Sequence, residues 1–135
     1  MTLVDSNVLL DVFTKTPIWW EWSLVRLKEA ARQGPLLIND VIFAETSIGF
    51  QSVEEFDGAL ANAGVTFAPI PRVALFLAGK AFLQYRNSGG ARPGVLPDFF
   101  IGAHAEVEKL PLLTRDTRRY RNYFPTVTLI APANE

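Results

Sequence analysis

Short apolar segments alternate along this chain with longer stretches of helical spacing, and this alternation is the strongest constraint on its fold. The apolar segments lie at residues 2–5, 35–38, 65–68, 112–114 and 127–130. The helical patterns cover residues 7–13, 16–34, 39–50, 52–64, 71–87, 97–109 and 118–123. Continuous apolar strands that alternate with helices are typical of a parallel sheet covered on both faces. We therefore predict an α/β fold with five strands.

Capping residues set the predicted helix ends. Thr16 and Pro17 suit a helix start, and Gly34 suits its end. Asn39 is a predicted N-cap, and residues 52–55 have the pattern of a capping box. Glycines and a proline in residues 88–94 predict a flexible loop.

Length, charge and residue types exclude several kinds of protein. The 135 residues suit a single domain, 1–135, and we find no repeat or linker. The net charge of −1 provides no overall attraction for nucleic acid. Cysteine is absent and His104 is the one histidine, which excludes zinc sites built from these residues. Without a signal peptide or a bilayer-length apolar run, the expected location is cytoplasmic, with no membrane contact.

Four carboxylates lie within or beside apolar segments, where water should be scarce: Asp5, Glu45, Asp98 and Asp116. Asp5 and Asp116 follow predicted strands. Carboxyl ends of parallel strands meet at one edge of the sheet, so the two acids converge if the first and fourth strands are neighbours. Asp11 and Asp40 are ambiguous, since the first is a possible outer member of the site and the second suits a first helical turn.

Helical spacing predicts that Glu45 faces inward, because its neighbours on the same face include Val41, Ile42, Ile48 and Gly49. Asp98 lies in a first helical turn on a face that continues through Ile101, Gly102 and Ala105. The structural alternative is that each acid is satisfied by an arginine or a cap. Clustered acids repel more strongly as water leaves, and a magnesium or manganese ion, or two, would relieve that repulsion.

Four motifs resemble those of PIN-domain ribonucleases, and among them the VapC-type toxins of toxin–antitoxin pairs. The first motif is at residues 4–10 and the second at 39–48. The third is at residues 97–105, and the fourth at 113–120 continues into 124–127. The motifs occur in the family's order and spacing along the whole chain.

This resemblance implies a three-layer α/β/α sandwich and a Mg²⁺- or Mn²⁺-dependent endoribonuclease. It implies that the catalytic and metal-binding quartet is Asp5, Glu45, Asp98 and Asp116. It implies that Asn7 and Thr114 are polar helpers that orient acids or water. It also implies a homodimer and a cognate antitoxin that blocks the site.

An RNA substrate would need local positive charge. Arginines 115, 118, 119 and 121 cluster beside Asp116, and Arg86 and Arg92 border the 88–94 loop. We predict that Arg92 and Arg118 contact phosphate, and that some of the others balance the acids. His104 lies off the Asp98 face of its helix and is predicted to be a partly exposed polar residue without a catalytic role.

Two apolar surfaces have alternative interpretations. Trp19, Trp20 and Trp22 are either core residues or part of a groove for an antitoxin. The helix at residues 71–87 carries many apolar side chains and is the predicted dimer surface.

Two other functions remain open from the sequence. The chain could be a PIN-fold RNA- or protein-binding module that cleaves nothing. It could instead be a phosphohydrolase with Asp5 as nucleophile, although such chemistry usually needs an acid where Asn7 stands.

Overall fold

A computed structural model describes residues 1–133, and within that range five strands form one sheet. The strands are β1 (Thr2–Val4), β2 (Leu36–Ile38), β3 (Val65–Phe67), β4 (Leu112–Leu113) and β5 (Leu129–Ile130). Their order is β3-β2-β1-β4-β5, and every neighbouring pair is parallel. The predicted α/β class, with a parallel central sheet in a three-layer sandwich, is confirmed.

Seven α-helices occur in residues 1–133. They are α1 (Ser6–Thr14), α2 (Trp20–Gln33), α3 (Asp40–Thr46), α4 (Val53–Asn62), α5 (Arg72–Asn87), α6 (Leu96–Glu108) and α7 (Arg118–Tyr123). The helices connect parallel strands, as crossover connections must.

β1 lies next to β4, as the convergence of Asp5 with the fourth motif requires. In this pair Val4 is opposite Leu113, and the Asp5 amide donates to the Leu113 carbonyl at 2.9 Å. Thr114 therefore leaves the sheet beside Asp5. The strand order reverses at β1, and sites in open parallel sheets lie at the carboxyl edge near such a reversal.

Two predicted helix boundaries are wrong. α2 begins at Trp20 rather than at Thr16 and Pro17. Ile18 has a φ of 76°, which a right-handed helix does not allow, so the preceding residues form a turn in which the Thr16 carbonyl accepts from the Trp20 amide at 3.0 Å. α3 ends at Thr46, and the predicted continuation to residue 50 is instead the 3₁₀ turn Ser47–Gly49.

The N-caps predicted at Asn39 and Ser52 are confirmed. The Asn39 side chain accepts from the Ile42 amide at 3.0 Å, and Ser52 Oγ accepts from the Glu55 amide at 3.0 Å. Each cap satisfies one of the amides that a helix start leaves without a backbone partner.

α6 and α7 pack closely where Gly102 faces Phe124. Both residues are buried, and a Cβ added to Gly102 would overlap the Phe124 ring. This contact matters for the site, because α6 carries Asp98 and α7 carries Arg119 and Tyr120.

We predict that Gly102→Ala lowers the free energy of unfolding by about 1–3 kcal/mol, because a methyl group overpacks the α6–α7 contact. Alanine has the higher helix propensity, so propensity alone predicts stabilisation. Denaturant titration measures the difference. Gly58→Ala in α4, where the added Cβ meets open space, is the control and should not destabilise. A Gly102→Ala protein as stable as the wild type would contradict the predicted overpacking.

A candidate active site at the carboxyl edge of β1 and β4

Asp5 is the buried centre of the site. It follows β1, and its side chain is the N-cap of α1, where Oδ1 accepts from the Ser6 amide at 2.7 Å. Oδ2 accepts from Thr114 Oγ1 and from the Tyr120 hydroxyl, both at 2.8 Å. The residue is only 5% exposed. Three donors thus hold a carboxylate that water barely reaches.

Burial raises the pKa of Asp5 to about 7. The three hydrogen bonds favour the ionised form and oppose this shift, while the negative charge of Asp98 adds to it. Near neutral pH, a proton and any other positive charge therefore compete for the Asp5 carboxylate.

Tyr120 is a site residue that the sequence analysis did not single out. It is buried, and burial together with the charges of Asp5, Asp98 and Glu45 raises its pKa well above the usual value. Tyr120 therefore stays protonated and donates to Asp5. The available signal was its position four residues after Asp116, at helical spacing within the fourth motif.

Thr114 and Asn7, the predicted polar helpers, connect the two strand ends. Thr114 Oγ1 accepts from Asn7 Nδ2 at 3.3 Å and from the Asp116 amide at 3.2 Å while it donates to Asp5. Asn7 Oδ1 in turn accepts from the Arg115 amide at 3.3 Å. The network fixes the chain after β4 against the start of α1.

Glu45 is partly buried on α3 and accepts from Ser6 Oγ at 2.5 Å. The prediction that Glu45 faces inward used a helical face that continues through Ile48 and Gly49. Glu45 is partly buried, but the face does not continue, because α3 ends at Thr46 and Ile48 is 82% exposed. Ser6 thereby links two predicted quartet members, since its amide binds Asp5 and its hydroxyl binds Glu45.

Asp98 lies in the first turn of α6 and accepts from Arg119 Nε at 2.9 Å. Burial raises its pKa, the hydrogen bond and charge of Arg119 lower it, and Asp116 raises it. The acids therefore affect one another's pKa: the charge of Asp116 raises the pKa of Asp98, and the charge of Asp98 raises the pKa of Asp5.

The expectation that all four acids lie where water is scarce is wrong for Asp116. Its side chain is 49% exposed, and Arg118 Nε lies 3.6 Å from its Oδ1. The reason is its position three residues beyond the end of β4, where the chain has turned toward solvent. Asp116 is the rim of the site and Asp5 its base.

The donor chemistry at this edge suits a hard divalent cation, which prefers carboxylate oxygens. Burial is the main cause of the raised pKa of Asp5 and of Asp98, and a nearby cation would favour the ionised form of both. As they stand, however, no three acids or histidines among residues 1–133 are close enough to coordinate one ion together. For a cation to bind there, side chains would have to move, and Arg119 already pairs with one of the acids, Asp98.

Asp11 is a structural residue rather than an outer member of the site. It is fully buried and accepts from Arg115 through Nε at 2.8 Å and Nη2 at 3.0 Å, and from Ser23 Oγ at 2.8 Å. The Arg115 guanidinium also lies 5.4 Å from the centre of the Trp19 ring. Arg115 therefore balances a buried acid and joins α1, α2 and the chain after β4.

His104 and Asp40 also have structural contacts. The prediction that His104 is partly exposed is wrong, because it is 2% exposed beneath α3. Its Nδ1 lies 3.1 Å from Asn39 Nδ2, and burial lowers its pKa, so the ring accepts from the amide and is neutral. Asp40 accepts from the Ile70 amide at 2.7 Å and holds the segment before α5.

Apolar side chains remain accessible on two surfaces. The three tryptophans are half-buried, so neither alternative is excluded, and the adjoining Ile18 is 89% exposed. α5 exposes Val73, Leu75, Phe76 and Leu83. The predicted dimer surface is therefore available, and dimerisation stays a prediction.

We predict that metal-free protein loses stability relative to Asp5→Asn as pH rises from 5 to 8. The folded pKa of about 7 exceeds the ordinary 3.8, so the folded state holds a proton that the unfolded state has released. The difference in unfolding free energy should change by up to about 1.4 kcal/mol per pH unit in this window.

Urea titration in EDTA measures this difference. Added Mg²⁺ at pH 8 should stabilise the wild type and leave Asp5→Asn nearly unchanged. A stability difference that does not depend on pH would contradict the raised pKa.

Comparisons with known proteins agree with this architecture. The PIN domain family profile matches residues 2–125. Three solved structures are similar in fold: VapBC2 from Rickettsia felis bound to a promoter DNA fragment, VapBC-1 from nontypeable Haemophilus influenzae, and a toxin–antitoxin complex from Klebsiella pneumoniae.

The agreement with these structures extends over nearly all of each chain. The Rickettsia structure has a TM-score of 0.73 at 17% identity, with 97% of this chain and 98% of that chain covered. The Haemophilus structure has a TM-score of 0.70 at 16% identity, with 96% of this chain and 96% of that chain covered. The Klebsiella structure has a TM-score of 0.61 at 21% identity, with 95% of this chain and 96% of that chain covered. At these identities the likeness is one of fold.

A search of curated protein sequences found no match. In the described part of the chain, no helix is both long and apolar enough to cross a bilayer. The family profile spans four of the five strands and the four motifs, except for the last two residues of the continuation at 124–127. The chain belongs to the PIN domain family.

Proposed function

We propose that this chain is a metal-dependent endoribonuclease that acts as the VapC-type toxin of a toxin–antitoxin pair. The observation that carries the proposal is the buried Asp5 carboxylate, held by three donors at the carboxyl edge of a PIN fold and raised in pKa by its surroundings. An acid in this position is poised to receive a cation in addition to capping α1.

Asp5, Glu45, Asp98 and Asp116 would hold Mg²⁺ or Mn²⁺. A bound ion of this type neutralises the acids and stabilises negative charge on a phosphate. Ser6, Thr114 and Tyr120 keep Asp5 and Glu45 in place through hydrogen bonds, and Asn7 keeps Thr114 in place.

The proposed reaction is in-line hydrolysis of an RNA phosphodiester. A water oxygen attacks phosphorus and gives a proton to a carboxylate oxygen of the quartet. The bond from phosphorus to the 3′ oxygen breaks, and that oxygen takes a proton from solvent water, which leaves a 3′-hydroxyl and a 5′-phosphate. No histidine takes part, since His104 is buried against Asn39.

RNA would be held by arginines at the rim. The Arg118 side chain is 73% exposed beside Asp116. Arg92 is exposed in the 88–94 loop, and its charge acts on Asp98. An open pocket of about 350 Å³ lies along this loop and is lined by Phe82, Arg86 and Arg92 among others. Arg86 and Arg92 would supply local positive charge for phosphates there, although the net charge of the chain is −1.

Control by an antitoxin is supported by the fold shared with toxin–antitoxin complexes. The half-buried tryptophans at the start of α2, with exposed Ile18, offer an apolar surface for such a partner. We further propose a homodimer through the exposed apolar side chains of α5, acting in the cytoplasm.

One observation favours the alternative function, a PIN-fold binding module without catalysis. Asp98 is already paired with Arg119, and a protein that binds no metal could keep this ion pair permanently. The phosphohydrolase hypothesis is weaker, because Asn7 stands where a second acid is expected and is bonded to Thr114.

We predict Mg²⁺-dependent internal cleavage of RNA by the purified chain without antitoxin. Cleavage should fall at least about a hundredfold in EDTA, which removes the ion, and with Asp5→Asn, which removes one of its charged ligands. Gel analysis of labelled RNA measures the rate. Asp57→Asn, which removes an exposed acid of α4, is the control and should cleave normally. Intact RNA that still binds would favour the module, and phosphate release from small esters would favour the phosphohydrolase.

We predict that Tyr120→Phe slows cleavage by about tenfold and moves its pH profile to higher pH. The hydroxyl donates to Asp5, so its loss removes a contact that favours the ionised carboxylate and raises the pKa of Asp5 further. Tyr123→Phe on the same helix is the control. Unchanged rate and pH profile in Tyr120→Phe would show that the hydroxyl only fills space.

A further inference from the structure

Three arginines between β4 and the end of α7 pair with aspartates, and the pairs differ in strength. Arg115 donates twice to Asp11, whose side chain is 1% exposed, and this geometry is that of a permanent structural pair. Arg118 lies 3.6 Å from Asp116 in an exposed setting where ion pairs contribute little.

The third pair, Arg119 with Asp98, is intermediate. Arg119 Nε donates to Asp98 Oδ2 at 2.9 Å, with the two side chains 18% and 33% exposed. The contact is short enough to neutralise Asp98, but water reaches both groups. Such a pair can open without the large penalty of leaving a fully buried charge alone.

Asp98 is also one of the acids proposed to hold a cation. A guanidinium and a divalent cation that share one carboxylate repel each other, and the repulsion grows where water is partly excluded. Metal binding at Asp98 and the Arg119 contact therefore oppose each other.

Tyr120, the next residue, would keep α7 in place if the Arg119 side chain moved away from Asp98. Tyr120 is buried and donates to Asp5, so it anchors α7 to the sheet edge. Consecutive residues of one short helix thus reach two acids, and the partly exposed arginine can rotate toward solvent while the tyrosine holds.

We propose that Arg119 is a resident counter-ion of Asp98 that a divalent cation must displace. By competing for Asp98, this arginine sets the metal affinity of the chain. The inference rests on the proposed metal site, and it assigns to the arginine an effect opposite to that of an orienting residue. If Arg119 oriented Asp98 for the ion, its removal would weaken metal binding. If it competes, its removal strengthens binding.

The test is the affinity for Mn²⁺ alone, measured by electron paramagnetic resonance of free Mn²⁺ at pH 8 and low salt. Arg119→Gln should bind about five- to tenfold more tightly than the wild type, because a competing positive charge is gone. Arg119→Lys, which keeps the charge, should bind within about twofold of the wild type. Arg121→Gln makes the same change of charge at an exposed position of α7 and should also stay within twofold.

A second background locates the effect at Asp98. In Asp98→Asn, adding Arg119→Gln should no longer tighten Mn²⁺ binding. Circular dichroism and thermal unfolding establish that each variant is folded. In the wild type, addition of Mg²⁺ to Mn²⁺-free protein should change the Nε–H NMR signal of Arg119, because this group leaves Asp98.

Unchanged or weaker Mn²⁺ binding in Arg119→Gln would overturn the inference, and so would the absence of binding at millimolar Mn²⁺ in both proteins. Tighter binding in Arg119→Gln, in a protein that cleaves no RNA, would support the inference and overturn the proposed nuclease function. The two proposals therefore fail separately.

Discussion

Burial of the Asp5 carboxylate is the constraint on which the rest of the site depends. Three hydrogen bonds partly offset the loss of hydration, yet the pKa still rises to about 7. The fold tolerates this because β1 delivers Asp5 directly beside Thr114 at the end of β4. The three groups that donate to Asp5 are neutral, and under the proposed function a divalent cation would supply the positive charge.

Packing in the helical layer brings the remaining groups to this edge. The close approach of Gly102 to Phe124 joins α6 to α7, so that Asp98 lies near Arg119 while Tyr120 reaches Asp5. The positive charges nearby have distinct functions: Arg115 stabilises the interior through Asp11, and Arg119 holds Asp98 by a contact that can open. Proximity to the acids alone does not make an arginine a substrate ligand.

Local sequence patterns predicted the parallel sheet, because short apolar segments alternate with helical patterns along the chain. They also predicted that Asp5 and Asp116 converge if the first and fourth strands are neighbours, and β1 does lie next to β4. They did not predict the role of Tyr120 or the Arg119–Asp98 pair, since contacts between distant elements depend on how α6 and α7 pack. The same limitation explains the exposure of Asp116 and the burial of His104. The start of α2 was misplaced because nothing in the local sequence indicates the left-handed backbone of Ile18.

The most direct test is the titration of the Asp5 carboxyl group by carbon-13 NMR, with and without Mg²⁺. Buried and without a cation, Asp5 should titrate near pH 7, and Mg²⁺ should lower its apparent pKa by more than one unit. A carboxyl group that titrates near pH 4 in both conditions would contradict the central claim that Asp5 is a buried acid that awaits a positive partner.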